Sequence, residues 1–278
     1  MSISAIENAP LDWWLRHAIA TIKADTGDVV SVDEKRKVLF KFGENTAAGN
    51  TESTIMELQG SEVAETLETT NSIDAIVSDD SNTATITIEG HTVSGTGTDQ
   101  EFTFVVQQVN LTGTTPASLT TPLARCSRIY NGSSTALTAD STVYVYASDG
   151  VTVTAGVPQT DSAIKIVIVE ASKNNTSLKA ATTFSKDDYY VITQVYFGIS
   201  KKTGASADFK IKTRLPGRLF RTRFETSLDT ASTKYVVIDL KPYVIVNKNS
   251  DVILTSNAST TNVSVYGGFN GVLAKIVG

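Results

Sequence analysis

The sequence predicts an all-β fold, with an N-terminal helical arm followed by two β-sandwich modules, the C-terminal one jelly-roll-like. Three observations carry that expectation. From about Ser61 onward Thr, Ser, Val and Ile dominate in short alternating runs cut by Gly, Asn, Asp and Ser clusters, the pattern of half-buried strands joined by tight turns. A single segment, residues 10–23, spaces its apolar side chains three and four apart as a helix does. At 278 residues, 41% apolar and 19% charged, the chain has material for two ordinary cores and lacks the polar, highly charged balance of a disordered one.

The helix puts Leu11, Trp14, Leu15, Ala18, Ile19 and Ile22 on one stripe, with Asn8 or Ala9 at the cap, Pro10 at the first helical position and Asp25-Thr26-Gly27-Asp28 as the stop. So short a helix is marginal alone, and its stripe must dock on its own β-module or on a neighbouring subunit. Trp13, Trp14, Leu15 and Ile19 are therefore candidate interface residues. A basic patch, Lys35-Arg36-Lys37, leads into the strand-like Val38-Leu39-Phe40-Lys41-Phe42. The small polar run 43–54 has the composition of a linker, which makes residues 1–60 an arm with one amphipathic helix.

Residues 61–172 form the first β-module. Its clearest strands are 83–88, 102–111, 143–146 and 164–170; the last is nearly continuously apolar, the signature of a central strand covered on both faces. Residues 173–278 form the jelly-roll-like module. Along 189–199, Tyr189, Val191, Thr193, Val195, Phe197 and Ile199 occupy one alternating face, expected to be the core face. Further strands follow at 208–213, 219–224, 235–240, 252–255, 263–266 and 271–276.

Chemistry-bearing patterns are sparse. The two histidines, His17 and His91, stand in segments of different character, and there is no Gly-x-Ser-x-Gly elbow, His-Glu-x-x-His pair or phosphate-binding loop. Asp79-Asp80 and Asp187-Asp188 sit in loop-like contexts, where such side chains cap turns. Cys126 has no second thiol to pair with and reads as a small buried strand residue. No catalytic, cofactor-binding or metal-ligating residue is assigned, and the chain is expected not to be an enzyme. A net charge of -5 gives no broad attraction for nucleic acid or anionic membrane, no apolar run is long enough to span a bilayer, and the N-terminus has no secretory signal pattern. The most informative polar cluster runs from Arg214 to Phe224. Alternation puts Phe220, Thr222 and Phe224 on one face and Leu219, Arg221 and Arg223 on the other, so Arg218, Arg221 and Arg223 join the candidate interface, guanidinium groups being suited to acidic partners.

Two stretches carry a resemblance. Residues 73–130, through Glu89-Gly90, Leu111-Thr112-Gly113-Thr114-Thr115 and Arg125-Cys126-Ser127-Arg128, resemble a module in virion structural proteins of marine tailed bacteriophages. Residues 180–271, through Gly217-Arg218-Leu219-Phe220-Arg221 and Asn249-Ser250-Asp251-Val252, resemble the jelly-roll-like module that often follows it. A loop that usually carries Pro-Ala-Gly is here Phe184-Ser185-Lys186-Asp187-Asp188. The resemblance implies a structural component of the virion, synthesised in the host cytoplasm: a head decoration, cement or vertex protein. Implied partners are other virion proteins, whether capsid, portal, neck or tail subunits, and further copies of the chain, as in a trimer. The alternative role is a fibre, collar or tail-tip adhesin that binds host-surface glycan. Tyr189, Tyr190, Tyr196 and Tyr266 would be its stacking platforms, although core packing accounts for most of them.

Overall fold

The computed structural model describes residues 13–32, 38–57, 67–169, 175–200 and 204–276. The helix cap at 8–10, Leu11, the basic patch 35–37, the module boundaries at 61 and 173, and the side chain of Trp14 lie outside the described residues. Helix α1 (Trp13–Thr26) is followed by β1 (Val30–Val32), β2 (Val38–Ala48) and β3 (Ser53–Thr54). Then come β4 (Ile73–Ser78), β5 (Thr85–Ser94), β6 (Glu101–Asn110), β7 (Ala117–Leu123), β8 (Arg125–Asn131), β9 (Thr142–Ala147), β10 (Val153–Thr154), β11 (Val157–Pro158) and β12 (Ile164–Val169). The C-terminal strands are β13 (Ala181–Thr183), β14 (Asp188–Ser200), β15 (Ser206–Arg214), β16 (Arg221–Asp229), β17 (Tyr235–Val246), β18 (Asp251–Ala258) and β19 (Val263–Ile276).

Alternate-residue burial in the C-terminal strands produces two facing sheets. One runs β2-β19-β14-β17, with β1 continuing the line of β2 along β19; the other runs β13-β18-β15-β16, with β3 continuing the line of β13 along β18. The chain alternates between them as two interlocked Greek keys, which makes this sandwich a jelly roll. Its core holds Ile55, Tyr190, Ile192, Phe197, Phe209, Leu254 and Phe269.

The described part of the stretch expected to be a separate arm thus holds, besides α1, the first strands of the jelly roll. The run 43–54 contains the end of β2 and all of β3 rather than a linker. Its small residues are there for close approach: a Cβ at Gly43 would overlap the carbonyl of Ile55. The sandwich built from β4 to β12 is spliced into the roll between β3 and β13. The outgoing and returning chains pair with each other, Glu57 N–H donating to Leu178 O at 2.9 Å and Ala180 N–H to Ile55 O at 3.0 Å.

Strand β14 is not one face of core residues. A bulge at Thr193 shifts its register against both neighbours between Ile192 and Gln194. Before the bulge Tyr190 and Ile192 enter the core; after it Val195, Phe197 and Ile199 do, so the odd-numbered face expected from sequence holds only for the second half. The displaced Tyr189 and Val191 form the outer surface on which α1 docks through Leu15, Ala18, Ile19 and Ile22. The helix stops where Gly27, at φ +76°, donates its N–H to Lys23 O at 3.0 Å. The Asp28 carboxylate then accepts from Tyr189 Oη at 2.7 Å and Lys248 Nζ at 2.8 Å, and the Lys248 bond foremost holds it below the usual carboxylate range.

In the inserted sandwich the sheet β12-β9-β4-β7 faces β6-β5-β8 across Ile76, Ile86, Ile88, Cys126, Ile129, Val145 and Ile168. Strand β12 is covered on both faces as expected, Ile166 and Ile168 inward and Val167 outward, but it is an edge strand rather than a central one. Its second cover comes from Val153 and Val157 of the β10–β11 hairpin, together with Tyr144 and Tyr146.

Because Leu15 is 5% exposed on Val191 while Trp13 is 63% exposed, the two should respond differently to truncation. Leu15→Ala is expected to cost about 2–4 kcal/mol in urea unfolding. Trp13→Ala should stay within about 0.5 kcal/mol. Equal effects would contradict docking of α1 on its own sheet.

Candidate functional site

The two sandwiches meet along β8, and the contact is polar. Arg125, the first residue of β8, is 4% exposed. Its Nε donates to Asp251 Oδ1 at 2.8 Å and its Nη2 to Asp251 Oδ2 at 3.2 Å, a two-pronged bond across the junction. Nη1 donates to Ala124 O at 2.8 Å and to Glu68 O, and the guanidinium lies over the Phe102 ring, 4.8 Å from its centre.

Asp251 opens β18 and is 2% exposed. Besides Arg125 it accepts Thr183 Oγ1 at 2.7 Å and, on Oδ2, Arg214 Nη2 at 2.7 Å and Nε at 3.1 Å. Burial pushes this carboxyl up, but the charges and hydrogen bonds of Arg125, with Arg214 and Thr183, hold it below the usual carboxylate value.

Two lysines cap carbonyls of the same edge strand. Lys41 of β2 donates to Ser127 O at 3.0 Å, and Lys179 donates to Cys126 O at 3.0 Å and Lys165 O at 3.1 Å. Ser127 is the extra residue of a bulge, Glu89 pairing with Arg128 and Gly90 with Cys126. Burial pushes the Lys41 ammonium down to about 8. Backbone ties complete the junction: Phe102 N–H donates to Asn249 Oδ1 at 3.0 Å and Lys186 N–H to Phe102 O at 3.1 Å.

Beside this junction a cleft of about 750 Å³ opens between the outer face of the β6-β5-β8 sheet and the β13–β14 turn. His91, 4% exposed, lines it against Phe104, ring centres 5.3 Å apart, and its Nδ1 has no hydrogen-bond partner. Burial, reinforced by the Lys41 charge, pushes the imidazole down to about 3, so it is neutral at pH 7. Arg128, Lys186 and Lys275 face Glu89, Asp187 and Asp188 around the rim, a balanced set of charges. Of the acid pairs, Asp188 caps its own turn, Oδ2 accepting Ser185 Oγ at 2.6 Å. Asp79 Oδ1 instead accepts the N–H of Thr142, 63 positions away, at 2.7 Å and so ties the end of β4 to β9. Among the described residues no group of three His, Cys, Asp or Glu side chains is placed to hold a metal ion.

The candidate interface residues fall in two places. Trp13 is exposed and stacks on His17, rings 5.3 Å apart, whereas Leu15 and Ile19 are covered by the chain's own sheet. Arg218, Arg221 and Arg223 are exposed on the turn before β16 and on β16 itself, with Arg223 Nε donating to Thr213 Oγ1 at 2.8 Å. Phe224 packs on the core as expected, its ring stacked on Phe197 at 6.4 Å. Sequence reasoning missed the Arg125–Asp251–Arg214 set. The available signal was a charged residue, Asp251, heading the apolar run Val252-Ile253-Leu254.

No protein-family model matches the chain, and no curated protein matches it. Among solved structures, the chain aligns over 95% of its length with 78% of a chain in the structure of the infectious bursal disease virus Gt strain, at 8% identity and a TM-score of 0.21. It aligns over 93% of its length with 55% of the insecticidal delta-endotoxin Cry8Ea1 from Bacillus thuringiensis, at 8% identity and a TM-score of 0.20. A third alignment, with infectious bursal virus derived T=1 particles, covers 95% and 79% at 9% identity and a TM-score of 0.15. Overlap of this size carries no argument about function, and the jelly roll rests on the strand order given above.

The buried imidazole sets an acid limit on stability. Below about 6.5 the unfolded chain takes up a proton at residue 91 that the folded chain refuses, so stability present above that pH is lost on acidification towards about 3. Asp251, held low by Arg125 and Arg214, adds its own loss only below about 3.8. In urea unfolding between about pH 6 and pH 4, His91→Leu should remove a slope of roughly 1.4 kcal/mol per pH unit that the parent chain shows. Parallel pH profiles for the two proteins would contradict this.

Proposed function

We propose that the chain is a non-enzymatic structural component of a tailed-phage virion, a head decoration, cement or vertex protein that works through subunit–subunit contacts. The observation that carries the reading is the turn between β15 and β16. Leu219 stands 89% exposed and Leu215 43% exposed, with Arg218 and Arg221 exposed beside them. The turn is held from three sides. Arg218 N–H donates to Leu215 O at 3.1 Å. Gly217, at φ +64°, sits so close to Gly97 and Thr98 of the inserted sandwich that a Cβ would lie 3.0 Å from their backbone. Arg214, bound to Asp251, covers the Phe220 ring with its guanidinium 4.8 Å from the ring centre.

A leucine projected on a rigid turn and flanked by guanidinium groups suits an apolar socket with an acidic rim. Its burial there would contribute about 1.5–3 kcal/mol per contact, and little ordering entropy remains to oppose it. Repeated over the copies of a closed assembly, such contacts add up. The resemblance of residues 73–130 and 180–271 to tailed-phage virion proteins supports the same reading, as does the jelly roll, which recurs in viral capsid domains without fixing function.

The test is incorporation. Phage particles assembled with Leu219→Ser or Arg221→Ser chains should carry at least about tenfold less of the protein by immunogold labelling, with the melting temperature of the purified chain shifted by less than about 2 °C. Full incorporation of both variants would contradict the proposal.

A further inference from the structure

The outer face of the β2-β19-β14-β17 sheet has two halves. One lies under α1; the other has no helix over it among the described residues, and there the strands set glycines opposite tyrosines. Gly198 of β14 pairs with Tyr266 of β19, and Gly268 of β19 pairs with Tyr196 of β14. A Cβ at either glycine would overlap the ring across from it, so each tyrosine lies flat on the sheet instead of standing away from it. Phe42 continues the Gly268 row on β2, and Tyr235 continues the Gly198 row on β17. The rings of Tyr196, Phe42, Tyr266 and Tyr235 therefore run side by side, with successive centres 6.2, 6.4 and 6.2 Å apart. Tyr196 is the covered base of this floor, whereas Tyr235 is 51% exposed and Val237 beside it 46% exposed.

The next row of the same face is polar. Asn270, Gln194 and Asp239 stand in register across β19, β14 and β17. Asn270 Nδ2 donates to Gln194 Oε1 at 3.2 Å, and Gln194 Nε2 donates to Asp239 Oδ1 at 2.8 Å, which fixes both amides. Asn270 Oδ1 is itself buried and accepts no hydrogen bond among the described residues. With Thr193 and Lys241 the row bounds a depression of about 300 Å³.

We propose that this face binds a linear, neutral oligosaccharide. A pyranose ring presents C–H groups on its flat faces and hydroxyls around its rim. The C–H groups carry partial positive charge and settle on the negative face of an aromatic ring. The hydroxyls both donate and accept, which Asp239, Gln194 and Lys241 can answer together. A flat apolar protein partner would instead strip water from the exposed Asp239 carboxylate and Lys241 ammonium without pairing them, at a cost. Asp239 and Lys241 carry opposite charges, and Glu44 stands in register beside Tyr266, so the face has no positive excess that would favour an acidic sugar. The inference does not rest on the subunit-contact reading, whose residues lie on the turn before β16 of the other sheet.

The test is calorimetric titration of the full chain with cellohexaose, maltohexaose and chitohexaose. At least one should bind, and Tyr235→Ala and Gln194→Ala should each weaken it by at least about tenfold. Gly198→Ala, which lifts the Tyr266 ring, should do the same, while Phe104→Ala on the inserted sandwich should leave it unchanged. Near-ultraviolet circular dichroism identifies any variant that misfolds, and Val237→Ser then replaces it. The proposal is overturned if none of the three sugars binds at about 5 mM. It is equally overturned if Tyr235→Ala and Gln194→Ala leave binding intact, or if sedimentation shows that Tyr235→Ala abolishes self-association, which would make the face a contact between copies.

Discussion

The carboxylate of Asp251 is the point on which both sandwiches and the projecting turn depend. Arg125 reaches it from the inserted sandwich, Thr183 and Arg214 from the jelly roll, and none of the charge is shared with water at a residue 2% exposed. A buried ionic set of this kind is not a large source of net stability, since desolvation offsets much of the attraction. What it supplies is selectivity of geometry. An unpaired partner left buried costs about 3–5 kcal/mol, so arrangements that separate the sandwiches while leaving these groups dry are excluded.

That requirement reaches outward along the chain. The roll's second strand is divided into β3 and β13, and the insertion leaves from one piece and returns to the other, so both of its connections are anchored on β18. Lys41 and Lys179 close the carbonyl edge of β8, which would otherwise be free to pair with another chain. Arg214 passes the constraint to Phe220, and through it the turn carrying Leu219 is fixed relative to both sandwiches. The two surfaces assigned here to contact are therefore made differently. The turn is held by charge at the junction, while the aromatic floor is held by ring-over-glycine packing in a single sheet.

Much of this was legible in the sequence, and the misses have physical causes. Alternation along 206–214 marked a strand correctly because one face of it lies in the core, whereas 251–258 is buried on both faces and was marked by its apolar run. The face of β14 was half wrong because a bulge inserts one residue without interrupting the apolar run, and a period-two pattern has no mark for it. The run 43–54 looked like a linker because residues small enough for close inter-sheet approach are also the residues of loops. Arg125 and Asp251 stand 126 positions apart, beyond any local pattern, and each alone reads as an ordinary polar strand end. Arg218 and Arg221 are exposed, but alternation did not settle it. Arg218 stands on the turn before β16, and a bulge at Arg223 pairs Thr222 with Lys212, so Thr222, expected on the core face, is exposed as well. Of the four tyrosines considered as sugar platforms, Tyr189 lies under α1 and Tyr190 in the core, while Tyr196 and Tyr266 share the outer face. Only the bulge separates the two outcomes.

The central claim is that the buried junction makes two sandwiches one mechanical body. Differential scanning calorimetry of the full chain tests it most directly. The account requires a single endotherm whose calorimetric and van't Hoff enthalpies agree, because neither sandwich can open without stranding the charges of the other. Two resolved transitions, or a calorimetric enthalpy well above the van't Hoff value, would contradict it.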